Sequence, residues 1–346
     1  MADTYNFLLT TIGRRTYLVK YFQKALQNKG KVYVTNSSPL VPAFEVADGA
    51  FVAPLTYDEE YIPFILKICK ENGIKAIVPV FDLELPFLAK AKPAFEQIGV
   101  QIVVSEEHVV RICNDKWLSY IFLRDHNIQT PRTYLDLSDL KRAIKEKQVS
   151  FPIMIKPRWG MGTMATYEAD NTEELEILYK KCKKEIFESY LKYEANQDSD
   201  NCVILQEKVS GDEYGLDIIC DLKCKYTHTI VKKKYEMRAN ETDCALTVKD
   251  SRLESIGRSI AESFSGIRGL MDVDIIRADG IDYILDLNAR FGGGYPFSHA
   301  AGADIPMAIV KWIEGETTEE ALFTAREGVM SRKEISIALL NGGFKE

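Results

Sequence analysis

What this sequence lacks narrows its chemistry. Its seven cysteines are odd in number, dispersed, and include no C-x-x-C pair. That usage points to a reducing cytoplasm rather than a disulfide framework. The four histidines, His108, His126, His228 and His299, form no H-E-x-x-H or other close grouping, so the usual zinc signatures are absent. There is no G-x-S-x-G elbow. After the first apolar stretch a single glycine, Gly13, stands where a dinucleotide fingerprint needs G-x-G-x-x-G. No apolar run approaches the roughly 20 residues of a membrane span. The opening M-A-D-T-Y-N-F-L-L-T-T-I-G lacks the basic and long apolar parts of a secretory leader, so a cytoplasmic chain is expected. Positive charge is not in excess either. The net charge of −7 argues against nucleic acid or an anionic membrane as partner, although local basic patches can still hold phosphates. No internal repeat or low-complexity segment is present.

The chain has 346 residues, 46% of them hydrophobic, which predicts two or three packed lobes with a large core. The first third alternates. Y-N-F-L-L-T-T-I-G, K-V-Y-V-T-N, A-I-V-P-V-F and V-Q-I-V-V-S read as strands. Helices are expected over 14–30, with Leu18, Tyr21, Phe22, Ala25 and Leu26 on one face, near Glu59–Asn72, and from about Glu84. This order implies a parallel sheet covered on both sides. One or two helices follow over 106–128. Two strands then flank the turn in F-P-I-M-I-K-P-R-W-G-M-G-T-M-A-T-Y-E-A. An amphipathic helix comes next, with Leu175, Leu178, Cys182 and Ile186 recurring at helical spacing. From Cys202 strands dominate, and the stretch after Glu316 has a few helical turns.

The sharpest local signal is Y-I-L-D-L-N-A-R. A strand sends alternate residues to opposite faces, so Tyr283, Leu285, Leu287 and Ala289 should pack while Asp286, Asn288 and Arg290 share the other face. Asp279-Gly280 is a strong hairpin turn. With an odd loop it places Asp274 opposite Asp286, a repulsive arrangement unless a cation lies between them. Carboxylates of this kind, completed by substrate phosphates, hold Mg²⁺. A solvated face with an Asp286–Arg290 salt bridge is the alternative.

Three further stretches carry weaker signals. In I-M-I-K-P-R-W-G-M-G-T, Lys156 emerges beside a glycine-containing turn, fit either for phosphate or for a plain hairpin with a surface lysine. It is not a P-loop. In V-I-L-Q-E-K-V-S-G-D-E-Y, an apolar strand ends in Gln206 and Glu207, with Glu213 after a turn. This suits a nucleoside or an edge strand with polar tips. In K-K-K-Y-E-M-R-A-N-E-T-D, Lys232, Lys234, Arg238 and Glu241 form either a solvated strand or the cationic holder of a transferring group.

The order of these elements resembles the ATP-grasp superfamily. It runs through Lys116 in N-D-K, Lys156 in I-K-P-R, Q-E-K-V, E-Y-x-x-D, and an aspartate upstream of D-x-N-x-R. The likeness is to the carbamoyl-phosphate-synthase-like and carboxylate–amine ligase branch, from T-x-I-G-R-R to about Glu316. It implies an α/β class with a Rossmann-like pre-ATP-grasp domain (1–113), linker helices and a small lid lobe (114–202), an antiparallel-sheet catalytic lobe (203–316) and a tail (317–346). It implies that Lys116 and Lys156 contact ATP phosphates. Within Gln206, Glu207, Lys208 and Val209, Glu207 and the Val209 backbone would meet adenine, and Glu213 the ribose. Asp274, Asp286 and Asn288 would hold one or two Mg²⁺ ions, with Asp286 bridging and Mn²⁺ as a substitute. Arg290, with Lys156 and Arg238, would act on the transferring phosphoryl group. Two features depart from the family: an aspartate stands where it often has glutamate in E-x-N, and the lid turn is poorer in glycine.

The implied reaction is activation of a carboxylate as an acyl phosphate, releasing ADP, followed by attack of an amine. Oxide is too poor a leaving group for direct attack, and phosphoryl transfer needs positioning and charge neutralisation. The alternatives are phosphorylation of bicarbonate or carbamate by a carbamoyl-phosphate-synthase-like enzyme, and an ATP-binding regulator without turnover. Expected partners are a small-molecule carboxylate, an amine and a second copy of the chain, with no nucleic acid and no membrane. Gly293, Gly294 and Ser298, with Arg238 or Glu241 opposite, are candidates for the acceptor site. Asp82 and Glu84 would read the amine or cap a helix.

Overall fold

The computed structural model describes residues 4–160, 162–238 and 241–340. Met161 of the lid turn, and Ala239 and Asn240 between two strands, lie outside the described residues.

The first lobe is a five-stranded parallel sheet in the order β3-β2-β1-β4-β5. Its strands are β1 (Asn6–Thr10), β2 (Val32–Asn36), β3 (Gly49–Val52), β4 (Ile74–Pro79) and β5 (Gln101–Ile102). All five residues of β1 are buried, as expected of a parallel strand covered on both faces. The helices are α1 (Thr16–Leu26), α2 (Tyr61–Glu71) and α3 (Leu85–Glu96). The buried face of α1 is Leu18, Val19, Phe22, Ala25 and Leu26, with Val19 in place of the expected Tyr21. Tyr21 instead stacks on His299, their ring centroids 3.6 Å apart. The chain leaves β1 toward β2 on one side and reaches β4 on the other. That reversal of winding is where open α/β sheets form a crevice at the carboxyl ends of their strands.

Helices α4 (Glu107–Asn114) and α5 (Lys116–Asp125) lead to the second lobe. Asp115 caps α5, accepting from the backbone N–H of Trp117 and Leu118. A four-stranded sheet, β6-β9-β7-β8, combines β6 (Thr133–Tyr134), β7 (Ile153–Pro157), β8 (Tyr167–Ala169) and β9 (Val203–Glu207). It is backed by α6 (Leu137–Lys145), α7 (Thr172–Glu188) and the short α8 (Lys192–Ala195). Leu175, Cys182 and Ile186 of α7 are buried against it. Because β9 pairs with both β6 and β7, this lobe extends to Glu207, past the expected limit at 202.

The third lobe is a six-stranded antiparallel sheet, β14-β13-β10-β11-β12-β15. It comprises β10 (Asp212–Cys220), β11 (Tyr226–Arg238), β12 (Glu241–Val248), β13 (Gly269–Ala278), β14 (Ile281–Asn288) and β15 (Met330–Arg332). Between β12 and β13 lies α9 (Ser251–Phe264), a helix absent from the sequence reading, although Leu253, Gly257, Ile260 and Phe264 recur at helical spacing behind the cap Asp250. After β14 come α10 (Tyr295–Ala300) and α11 (Ile305–Ile313). Among the described residues beyond Glu316 the expected helical turns reduce to one 3₁₀ turn at Glu320–Phe323, and β15 then adds an edge strand to the six-stranded sheet. The expected tail is therefore joined to this lobe through Met330–Arg332. Among the described residues, no helix is long and apolar enough to cross a membrane.

Candidate functional site

The site is laid out on one face of the six-stranded sheet. Pairing places Asp274 opposite both Asp286 and Gly215, and Gly215 opposite Lys232. The neighbouring row runs Asn288, Asp272, Asp217. Gly215 keeps this face open. A Cβ there would lie 3.3 Å from Lys234 Cε and 3.6 Å from Lys232 Cε, so its absence lets both lysines lean toward the acids. Lys234 reaches Asp274 and Lys232 reaches Asp217 as ion pairs, with Ser298 donating to the same Asp217 oxygen.

A bulge sets the strand phase. Asp274 pairs with Asp286 but Ile275 pairs with Ile284, leaving Leu285 unpaired. The expected packed face of Tyr283, Leu285, Leu287 and Ala289 is therefore corrected: Ile284, Leu287 and Ala289 are buried, while Tyr283 and Leu285 are half-buried. The extra residue also frees Asp282 from the face that carries Asp286 and Asn288. It is buried and paired with Arg277 and Arg252.

Asp274, Asp286, Asn288 and Arg290 all line a cavity of about 420 Å³, together with Lys232, Lys234, Gly293 and Gly294. Arg290 does not pair with Asp286. Its Nη2 and Nε donate to Asp82 Oδ2 at 2.7 and 3.0 Å, and Asp272 Oδ2 lies 3.6 Å from Nη1. Burial alone would lower the affinity of Arg290 for its proton, but the charges of Asp82 and Asp272 outweigh it and the guanidinium stays charged. Asp82 projects from the segment after β4, so the crevice of the first lobe and the acid row of the third share one ion pair.

No cationic side chain lies within 4.0 Å of Asp286 among the described residues. Burial raises its pKa, and the charges of Lys116 and Lys156 work against that rise. Asp272 is raised as well, by burial first and then by the neighbouring charge of Asp274. Lys116 and Lys156 sit together beneath the lid turn, along a small cleft with Gly160 and Gly162. Lys116 Nζ donates to the Gly160 carbonyl at 2.5 Å. The pKa of Lys156 is lowered to about 8, by burial and then by repulsion from Lys116.

The remaining candidates lie elsewhere. Gln206 donates to Thr133 Oγ1 at 2.9 Å and is buried in the lid sheet. Lys208 pairs with Glu168 at 2.7 Å. Glu207, Val209 and Glu213 are half-buried along the connection from β9 to β10. None of these five lines the cavity. Arg238 is also outside it. Register shifts between Lys234 and Met237 turn the end of β11, so that Arg238 pairs with Asp243 and donates to the Lys333 carbonyl at 3.1 Å. Ser298 is fully buried on Asp217 and not open to an acceptor. Glu84 is likewise buried, accepting from Tyr61 at 2.6 Å, Thr11 at 2.7 Å and the Val80 N–H at 3.1 Å, so it ties the carboxyl ends of the central strands β1 and β4 to α2 and is not open to an amine.

Asp272 and Arg15 belong to the site although the sequence reading did not place them there. Asp272 was visible as the partner of Asp274 in D-V-D. Arg15 lines the cavity and donates to the Phe291 carbonyl at 2.9 Å, and its signal was the paired arginine in I-G-R-R. Among the described residues, no three His, Cys, Asp or Glu side chains converge as a metal cage. The two carboxylates and one amide present are instead the sparse set that Mg²⁺ takes when phosphates complete its shell.

Residues 7–103 match the model of the PylC-like N-terminal domain, and residues 113–294 match the ATP-grasp domain model. The carbamoyl phosphate synthase large chain of Bifidobacterium animalis subsp. lactis (strain AD011) is 23% identical over 319 residues, covering 86% of this chain but 27% of that protein. The chain thus spans little more than a quarter of that curated relative. Among solved structures, the biotin carboxylase domain of Hydrogenobacter thermophilus 2-oxoglutarate carboxylase, in complex with MgADP, ADP and bicarbonate, superposes with a TM-score of 0.73 at 16% identity, over 94% of this chain and 73% of that one. The L-amino acid ligase of Bacillus licheniformis superposes with a TM-score of 0.70 at 17% identity, over 95% and 80%.

Proposed function

Because the chain belongs to the ATP-grasp family, we propose that it is an ADP-forming carboxylate–amine ligase. The carrying observation is the cavity that joins Asp274, Asp286 and Asn288 to Arg290, with Lys116 and Lys156 placed beyond it under the lid turn. A substrate carboxylate attacks the γ-phosphate of ATP in line; ADP leaves and an acyl phosphate forms. An amine then attacks the acyl carbon and expels phosphate, losing its proton to solvent or a base.

The chain's own residues supply positioning and charge for these steps. Lys116 and Lys156 neutralise phosphate oxygens. Arg290, immobilised by Asp82, would turn its longer contacts, to the Phe291 carbonyl at 3.2 Å and Asn288 Oδ1 at 3.3 Å, over to the transferring group. Asp274, Asp286 and Asn288 would hold Mg²⁺, which neutralises charge shared by the β- and γ-phosphates. They fit that ion because the half-buried Asp286 carboxylate faces a second carboxylate and, among the described residues, has no protein cation within 4.0 Å. Asp274 must release Lys234 to take part. The Gln206–Val209 run and Glu213 are proposed for the nucleoside, on their position where the lid joins the catalytic sheet. The lid turn over Lys116 and Lys156 would exclude water from the acyl phosphate.

The test is ADP release from Mg²⁺-ATP with pooled amino acids, pooled small carboxylic acids and, separately, bicarbonate. Stimulation by acids, abolished in Asp286→Asn while ATP still binds, supports the ligase. Stimulation by bicarbonate alone would replace it with carbamoyl-phosphate-synthase-like chemistry, and ATP binding without stimulated turnover would favour the regulator.

A further inference from the structure

Beside the reaction cavity lies a second one of about 240 Å³, and the two share Arg15, Glu241 and Thr242 in their walls. It is enclosed by the segment after β1, with Arg14, Arg15 and Tyr17, and by the facing ends of β11 and β12, with Arg238, Glu241 and Asp243; Lys333 and Glu334 close one side. Its charges are not all matched. Arg238 is neutralised by Asp243, and Lys333 pairs with Glu241 at 2.9 Å. Neither Arg14 nor Arg15 has a carboxylate within 4.0 Å among the described residues. Arg15 spends one N–H on the Phe291 carbonyl, which fixes its guanidinium at the mouth between the two cavities, while Arg14 is exposed. Both follow β1 at the reversal of the parallel sheet, the position where such sheets take ligands.

Resting on the ligase reading above, we infer that Arg14 and Arg15 form an anion subsite, so that one of the two substrates carries, besides its reacting group, a second anionic group such as a carboxylate or phosphate. The reacting end lies by Arg290, and the distal anion lies in the smaller cavity against the two guanidiniums. A planar guanidinium suits such a group, because it offers parallel N–H donors to two oxygens at once. Glu241, Asp243 and Glu334 line the rest of the wall and disfavour an anion placed there; Glu241 and Asp243 pair with Lys333 and Arg238, and Glu241 also feels the charges of Arg15 and Arg14 at longer range. A neutral substrate tail would leave the half-buried Arg15 without an anionic partner at the mouth.

The anion can belong to the acid or to the amine, and matched probes separate the two. Phenylglyoxal, which modifies guanidinium groups, is applied to the full chain with Mg²⁺-ADP present, and labelling of Arg14 and Arg15 is read by peptide mass spectrometry. Succinate is compared with propionate, and phosphoethanolamine with ethanolamine. Protection by succinate but not propionate places the anion on the acid, and protection by phosphoethanolamine but not ethanolamine places it on the amine. If neither pair differs, the inference is overturned. In kinetics, Arg14→Gln and Arg15→Gln should each raise KM for the charged member of the pair about tenfold, the scale of a charge-assisted hydrogen bond. KM for ATP should stay within about twofold, and lysine replacements should recover part of the loss. A uniform change in every KM with a lowered Tm would show a structural role and overturn it too. The labelling result does not depend on turnover, so unchanged ADP release in Asp286→Asn would sink the ligase reading separately.

Discussion

Replacing Asp82 with asparagine removes one charge from the ion pair that ties the first lobe to the end of β14, at nearly constant volume. The two side chains are 9% and 8% exposed, and their closest N···O distance is 2.7 Å. At an effective dielectric near 20, two unit charges at that separation attract by roughly 6 kcal/mol before desolvation is counted. Breaking a buried pair from one side costs about 3–5 kcal/mol. Asp272, 3.6 Å from the same guanidinium, retains part of the compensation, so the lower end of that range is expected. Unfolding entropy of about 2.1 cal/mol/K per residue, summed over the chain, converts roughly 3 kcal/mol into a fall in Tm of about 4 °C. Calorimetry on wild type, Asp82→Asn, Arg290→Met and the double variant measures the coupling, expected at about 2 kcal/mol or more. A single-variant Tm within about 1 °C of wild type, or additive effects in the double variant, would refute the claim that this pair joins the lobes.

Three further predictions rest on the same geometry. Lys156 is charged below its pKa of about 8, so affinity for ATP should weaken as pH rises from 7 to 9.5, with no such trend in Lys156→Met; a flat profile by calorimetric titration would remove Lys156 from the phosphate site. The stability sign is opposite: its folded pKa lies below the unfolded lysine value of about 10.4, so the unfolded chain binds more protons between the two, and the ligand-free protein gains stability as pH rises through that window. In Gly292→Ala, the new Cβ would sit 2.1 Å from Asp272 Cγ and must displace that carboxylate from Arg290. ADP release should fall at least tenfold with a stability loss of about 1–3 kcal/mol, and normal turnover would show that Asp272 does not help position Arg290.

Much of the protein could be read along the chain because the signals are local. A period of two set the acid–amide–guanidinium row, and Asp279-Gly280 set the hairpin that brings Asp274 opposite Asp286. The alternation of apolar strands and amphipathic helices in the first hundred residues specified a parallel sheet, since each element carries its own periodicity. The order of short motifs was enough to suggest the family. Even α9 was legible in its spacing and its cap, and was missed only because strands surround it.

Tertiary structure decided what depends on partners distant in sequence. The bulge at Leu285 shifts the packed face by one residue, an event that no alternation pattern encodes. Arg290 meets Asp82 across 208 positions, and Ser298 meets Asp217 across 81, so their roles exist only once the lobes have packed. Arg238 looked equivalent to Lys232 and Lys234, but irregular pairing near the end of β11 turned it away from the cavity. Arg14 and Arg15 were two ordinary arginines after a strand until the catalytic sheet placed the other wall against them. Periodicity is a property of neighbours in the chain, whereas charge compensation, burial and the walls of a cavity are properties of neighbours in space.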